Sequence, residues 1–375
     1  MQQREIYQHN VSPEEYGQLL EDKAERLCQR FAEFSPPPLK VHASAPQHFR
    51  LRAEFRLWHE GERCFFAMFE PGDKSKVYEV QEFPIASRLI NQLMADLLQA
   101  IQPSELLRRK LFQVEFLTTL SGDALISLIY HKPLNDGWQA AAEALQARLG
   151  FPLIGRSRKQ KRTLSRDYVN ETLQVDGKAL HYRQTEGGFT QPNGEMNQQM
   201  LSWARAAADT ITEQQGHSDL LELYCGNGNF SIALADKFRR VLATEISKTS
   251  VAAAQINIAG NQLDNVVIAR LSSEEFVQAL RGERTFERLS GVDLNSYDFR
   301  TVLVDPPRAG LDDESVRQVQ GYDNIIYISC NPVTLHDNLQ TLCRTHEIKQ
   351  FALFDQFPYT DHIETGVVLT RKSSL

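Results

Sequence analysis

Seven short apolar runs follow one another from Leu220 onward: Leu220–Tyr224, Val241–Thr244, Val266–Ala269, Thr301–Val304, Ile325–Ile328, Phe351–Phe354 and Gly366–Thr370. Helix-like stretches separate them. Strands alternating with helices make βαβ units, and such units make a mostly parallel, doubly wound sheet. Residues 181–375 are therefore expected to form an α/β, Rossmann-like domain. Its ligands should bind beyond the carboxyl ends of the strands.

Residues 1–180 have another texture. Arg50, Arg52, Glu54, Arg56 and Trp58 alternate with Leu51, Ala53, Phe55 and Leu57. That is a strand with one wet face. Gly61 turns it, and Arg63–Phe69 returns. Phe112–Leu120 and Leu125–His131 also read as strands. Helices are expected at Ser12–Glu33, with Ser12 and Glu15 as a capping box, at Leu89–Ile101 and at Gln139–Leu149. The expectation is an α+β domain with antiparallel hairpins.

Hydrophobic residues make up 42% and charged residues 24%, so a soluble globular chain is expected rather than a disordered or fibrous one. No apolar run approaches the roughly 20 residues of a membrane span. The start, MQQREIYQHN, lacks the apolar centre of a signal peptide. Five cysteines are widely spread, with no C-x-x-C pair and no group of four. These features predict a cytoplasmic protein without a metal or an iron–sulfur cluster. Cys28, Cys64, Cys225 and Cys343 read as small packing residues. The net charge of −7 argues against a nucleic-acid partner. Split at residue 180 the objection weakens: 24 basic and 23 acidic side chains precede that point, and 17 and 25 follow it. Binding depends on a local basic face, not on the sum.

After the first apolar run comes Cys225-Gly226-Asn227-Gly228-Asn229-Phe230, a tight turn into a helix beginning at Ser231. Glycines here let the backbone approach a ligand at a helix N-terminus. Glu245 ends the next strand, 19 residues beyond Gly226, where an acid holds ribose hydroxyls. The third glycine of the dinucleotide pattern is replaced by Ser231. A nucleoside ligand without a pyrophosphate site favours S-adenosylmethionine over NAD. Tyr224, Asn229 and Glu245 are the cofactor candidates.

Two later strand ends carry reactive residues, Asp305-Pro306-Pro307-Arg308 and Ser329-Cys330-Asn331-Pro332. A cysteine beside a methyl donor has a definite use. The C5 carbon of uracil is a poor nucleophile, and a thiolate adding at C6 turns the ring into an enolate that C5 can use. A base must then take the C5 hydrogen so that the thiolate leaves. Asp361, His362 and Glu364 are all candidates for that base.

The segments FTQPN (Phe189–Asn193), LLELYCGNGNFS (Leu220–Ser231), ATEIS (Ala243–Ser247), VDPPRAGLD (Val304–Asp312), YISCNP (Tyr327–Pro332) and DQFPYTDHIETG (Asp355–Gly366) together resemble the RNA uridine-5-methyltransferase family. Within it the chain is similar to the bacterial branch that methylates tRNA at T-loop uridine 54. The resemblance implies a methyltransferase domain over 181–375 behind an RNA-recognition domain over 1–180. It implies Cys330 as nucleophile and Glu364 as base, with Gln191, Tyr224, Asn229, Glu245 and Asp305 holding the cofactor. A ribosomal-RNA branch carries an iron–sulfur cluster on four cysteines ahead of the catalytic domain. Only Cys28 and Cys64 stand there, which disfavours that branch.

Arg156, Arg158, Lys159, Lys161, Arg162 and Arg166 fall within eleven positions without an acid, and are expected to meet an RNA backbone. Arg50, Arg52 and Arg56 form a weaker patch. Phe189 is either a stacking platform for a flipped base or a core phenylalanine. Arg308 is the candidate positive charge beside the Cys330 thiolate and a further RNA contact. The expected partner is the T-arm of tRNA, and other RNAs with a T-loop-like fold, met by a monomer. Two other readings remain: a non-catalytic RNA-binding or RNA-folding protein, and an exocyclic-amine methyltransferase, which needs no thiolate.

Overall fold

The computed structural model describes residues 11–70 and 73–373. Helix α1 (Tyr16–Phe31) and strand β1 (Lys40–His42) come first. A seven-stranded sheet follows, built from β2 (Arg52–Glu60), β3 (Arg63–Glu70), β4 (Asp73–Glu79), β5 (Leu111–Thr118), β6 (Ala124–Tyr130), β7 (Leu153–Ser157) and β8 (Gln160–Thr163). Helices α2 (Arg88–Ile101), α3 (Glu105–Arg108) and α4 (Asp136–Leu149) interrupt it. The strands run in the order β4-β3-β2-β5-β6-β7-β8. The wet-faced strand is β2, with Ala53, Phe55 and Leu57 buried.

The expected antiparallel hairpins are present, and one further pair joins them, with β7 lying parallel to β6. Helix α4 supplies the crossover that a parallel pair requires. The Asn135 side chain accepts from the Trp138 amide at 2.8 Å to start this helix. Trp138 then packs against β7 so closely that a Cβ on Gly155 would fall 2.1 Å from its ring.

Strands β9 (Tyr168–Val175) and β10 (Lys178–Thr185) form a separate hairpin. It leads into the long helix α5 (Gly194–Gln215), capped by Asn193. The second sheet uses β11 (Asp219–Leu223), β12 (Val241–Thr244), β13 (Val266–Ala269), β14 (Phe299–Val304), β15 (Asn324–Ser329), β16 (His346–Phe354) and β17 (Glu364–Arg371), joined by β1 at its edge. Its order is β1-β16-β17-β15-β14-β11-β12-β13. Only β17 is antiparallel to its neighbours, β15 and β16. Helices α6 (Asn229–Leu234), α7 (Lys248–Gly260), α8 (Ser273–Leu280), α9 (Asp313–Val319) and α10 (Pro332–Leu342) make the connections. Strands β11, β14 and β15 are buried along their length apart from the start of β14, which is why they read as continuous apolar runs.

Three segments cross residue 180. Strand β1 pairs with β16. Leu27 and Phe31 of α1 share one core with Val302, Leu335, Leu339 and Phe351. Burying each side chain contributes on the order of 2 kcal/mol. The β9–β10 hairpin packs with α5 through Leu173, Tyr182, Met200 and Ala204. The Ser12 capping box is absent: Ser12 makes no side-chain cap, a 3₁₀ turn spans Pro13–Glu15, and α1 begins at Tyr16. Pro13 presets that turn. Cys64 and Cys225 are buried as expected, but Cys28 is exposed on α1, because Leu27 beside it takes the buried face. Among the described residues, no helix is long and apolar enough to cross a membrane.

Candidate active site

The carboxyl ends of β11, β14 and β15 and the start of β17 meet at one crevice. Ser329 is opposite Thr365 and Ile328 is opposite Gly366 in the β15–β17 ladder. Cys330 follows the last paired residue of β15 and Glu364 precedes its partner Thr365, so the two lie at the same end of this strand pair. Glu364 also pairs with Phe354 on β16, so the carboxylate sits on a strand held from both sides. Cys330 is half-buried and Glu364 is buried. Asn331 caps α10 and donates from its side chain to the Arg308 carbonyl at 3.0 Å. This ties the Cys330 loop to the loop after Asp305.

Carboxyl groups crowd the floor. Burial pushes Asp305 up to about 7. Burial first, and the neighbouring Asp305 second, hold Glu364 well above the ordinary glutamate range. Burial, then Glu364 and Asp305, push the Cys330 thiol up to about 11, and Arg308 opposes them weakly. Arg308 thus has the sign expected of it but not the strength. On the far side of Cys330 lies an open crevice of about 740 Å³, lined by Arg26, Arg30, Arg308, Val333, His336 and His362 among others.

The glycine turn is built as the spacing predicts. Tyr224, Gly226 and Gly228 adopt left-handed backbone angles, which brings the chain round between β11 and α6. Glu245 accepts from the Gly226 amide at 3.0 Å and from the Ser247 amide at 2.8 Å. It therefore braces the turn as well as facing it. Asn229 exchanges two side-chain hydrogen bonds with Asn197, at 3.0 and 2.8 Å. Ser231, standing where a third glycine would be, donates to buried Glu222. Burial pushes Glu222 up to about 8. Glu222 and Asn197 escaped the sequence reading because neither lies at a motif position with chemistry of its own.

Gln191 accepts from Gln356 at 2.5 Å. The Gln356 carbonyl oxygen is buried without a partner among the described residues. A buried acceptor left without a partner fits a polar ligand that donates to it. Tyr224 and Asn229 thus belong to the glycine turn, Glu245 braces it, and Gln191 is tied to Gln356 in the loop ahead of Glu364. Asp305 lies close enough to Glu364 and Cys330 to raise both, and Arg308 lines the open crevice with Cys330. Among the described residues, no three His, Cys, Asp or Glu side chains are arranged to hold a metal ion.

The RNA candidates divide. Phe189 is 71% exposed, which removes the core alternative. Arg52 donates to the Gly188 carbonyl at 2.8 Å and so fixes the Phe189 loop. Arg50 donates to the Arg52 carbonyl at 2.8 Å, and Arg56 lies over the Phe112 ring at 3.8 Å. In the basic run, Arg156 is paired with Glu186, Lys161 with Asp167 at 2.7 Å, Arg162 with Asp136 at 3.3 Å and Arg166 with Asp123 at 2.6 Å. Arg158 and Lys159, exposed at the β7–β8 turn, have no acidic partner among the described residues. The run lacks acids in sequence but not in space.

The chain matches the tRNA (Uracil-5-)-methyltransferase family over residues 15–372. It is 56% identical over 367 residues to a tRNA/tmRNA (uracil-C(5))-methyltransferase of Aeromonas hydrophila subsp. hydrophila, covering 96% of each chain. It is 55% identical over 366 residues to the protein of that name from Shewanella amazonensis, covering 96% of this chain and 99% of the relative. The crystal structure of Pyrococcus abyssi tRNA (uracil-54, C5)-methyltransferase in complex with S-adenosyl-L-homocysteine shares the fold. Its TM-score is 0.70 at 19% identity, over 95% of this chain and 83% of that one. Matched over nearly its whole length by the family model and by these relatives, this chain belongs to the tRNA (uracil-5-)-methyltransferase family.

Proposed function

We propose that this chain methylates C5 of a tRNA uridine, the T-loop uridine 54, in the cytosol. The observation that carries the reading is that Cys330 and Glu364 lie at the same end of the β15–β17 pair, with Glu364 and Asp305 near enough to raise the Cys330 thiol. S-adenosylmethionine supplies, when bound, an electrophilic methyl group on a sulfonium whose positive charge favours ionised thiolate and carboxylate nearby. Gln191, Tyr224, Asn229, Glu245 and Asp305 would hold it. Glu245 is oriented by two backbone amides with lone pairs left over for ribose hydroxyls.

The Cys330 sulfur forms a bond to C6, and the ring's π electrons move to the C4 carbonyl as an enolate. The enolate's electron pair at C5 would take the methyl group as the methyl–sulfonium bond breaks and leaves a neutral thioether, and C5 keeps its hydrogen. Glu364 then takes that hydrogen as a proton; the C5–H electrons restore the C5–C6 double bond, and the C6–S bond breaks to return the thiolate. Burial keeps water from competing for the carboxylate. Exposed Phe189 offers a stacking face to a base taken out of the T-loop. The relatives' names cover tmRNA as well as tRNA, so the reading extends to other RNAs that present a T-loop-like fold.

The test uses unmodified tRNA transcript and methyl-labelled cofactor, with the product nucleoside mapped. 5-Methyluridine at position 54, lost in Cys330→Ala, is expected. Label on an exocyclic amine, or full activity of Cys330→Ala, would favour the amine methyltransferase reading instead.

A further inference from the structure

The loop between β16 and β17, residues 355–363, delivers Glu364, and one side chain from the far end of the sequence holds it. Lys23 on α1 is 2% exposed. Its ammonium donates to Asp355 Oδ1 at 2.6 Å, to the Phe357 carbonyl at 2.9 Å and to the His362 carbonyl at 3.1 Å. All three ammonium hydrogens are thereby used, and they tie the loop's entry to the backbone two residues before Glu364. Burial drives the Lys23 ammonium downward, and Asp355 opposes it. The other ties are lighter: Tyr359 donates to the Pro46 carbonyl at 2.7 Å, and Arg26 pairs with Asp361 at 3.2 Å on the exposed side.

A buried ion pair is weak evidence for stability, since apolar side chains of similar volume often serve as well or better. What an apolar residue cannot do is hold two backbone carbonyls at fixed positions. Tyr359 takes a left-handed φ of 66° in this loop, a conformation that persists only when its surroundings impose it.

We propose that Lys23 is a positioning residue for the last chemical step: it holds the 355–363 loop so that Glu364 reaches the C5 hydrogen of the methylated adduct. The proposal rests on the reading that Glu364 is the base. It separates the two halves of the reaction. Cys330 lies on the β15–α10 connection, which Lys23 does not touch. Addition and methyl transfer should survive loss of the clamp, while proton removal, with return of the electrons to C5–C6 and departure of the thiolate, should slow.

The test is a single-turnover experiment with labelled tRNA and labelled methyl donor. Four variants are compared with the wild type: Lys23→Met, the charge-neutral double variant Lys23→Met/Asp355→Asn, Lys23→Arg and Glu364→Gln. The double variant is included because Lys23→Met alone leaves Asp355 buried and unpaired, which can unfold the loop. The folded double variant should transfer methyl at close to the wild-type rate. Its denaturation-resistant adduct should live at least about 10-fold longer, as a base displaced by about 1 Å predicts. Lys23→Arg, which keeps the charge and its donors, should shorten that lifetime again. An adduct lifetime equal to wild type in the double variant, or methyl transfer falling in step with turnover, overturns the clamp. Trapping by Glu364→Gln without trapping in the clamp variants overturns the clamp alone. No trapping in Glu364→Gln overturns the reading beneath it as well.

Discussion

The β7–β8 hairpin and its flank hold six basic residues within eleven positions, and four of them are paired with Glu186, Asp167, Asp136 and Asp123 from elsewhere in the chain. The crevice holds three carboxyl groups, Glu222, Asp305 and Glu364, none with a basic partner among the described residues. At the hairpin the acids answer the bases: the pair of Arg156 with Glu186 raises the guanidinium and lowers the carboxyl. In the crevice burial drives each carboxyl toward its neutral form and Cys330 toward the thiol. The comparison teaches that charge density along a sequence overstates a binding face. A few unpaired groups in a low-dielectric floor are where a cationic ligand would change ionisation most.

The largest expected effect lies in the crevice. Asp305→Asn removes one of two facing carboxyl groups. Glu364 and Cys330 are both raised in part by Asp305, so both should ionise at lower pH in the variant. The acidic limb of the single-turnover pH–rate profile should move to lower pH. Cofactor affinity, read by calorimetry, should fall by about 1.5–3 kcal/mol if Asp305 accepts a hydrogen bond from it. An unmoved limb would show that the two carboxyls do not sense each other.

The next effect concerns stability. Glu222 is raised to about 8 in the folded chain, so the folded state binds a proton that the unfolded state releases near pH 4.3. Stability is therefore lost as pH rises between those values, at no more than about 1.4 kcal/mol per pH unit, and is flat above. Glu222→Gln keeps a hydrogen-bond partner for Ser231 without a titrating group. Its melting temperature should fall less than the wild type's between pH 5 and pH 8; parallel curves would remove Glu222 as the source.

The smallest effects belong to the hairpin. Arg158→Ala with Lys159→Ala removes two exposed cations, and the slope of log affinity for tRNA against log salt should flatten by at most about 2. Arg156→Ala should instead lower stability, because it takes the bidentate partner from Glu186, and should change the slope little. Equal slope changes in both variants would mean that the Glu186 pair opens to meet RNA.

Much of this was legible in the sequence. The seven apolar runs map onto the second sheet because buried parallel strands have no polar face to interrupt them. The motif residues converge because strand ends of a doubly wound sheet share one edge. What stayed hidden depends on contacts remote in sequence. The pairing of β1 with β16 joins residues more than 300 positions apart, and the contact of Lys23 with Asp355 spans 332. No local pattern marks Lys23, which reads as one more charged position on an amphipathic helix. The pairing of the basic run was hidden for the same reason, since Glu186, Asp136 and Asp123 lie 30, 26 and 43 positions from their partners. The parallel β6–β7 pair was hidden because a strand's alternation does not specify the direction of its neighbour.

The central claim is that Cys330 acts first and Glu364 last. The direct measurement is a denaturing gel of labelled tRNA incubated with methyl-labelled cofactor and either Glu364→Gln or Cys330→Ala. A slow-migrating band that carries both labels is predicted for Glu364→Gln, where the thiolate has added and the methyl group has moved but the C5 hydrogen cannot be taken. No such band is predicted for Cys330→Ala. Normal turnover by Glu364→Gln, with no retained adduct, would contradict the account and return the base to Asp361 or His362.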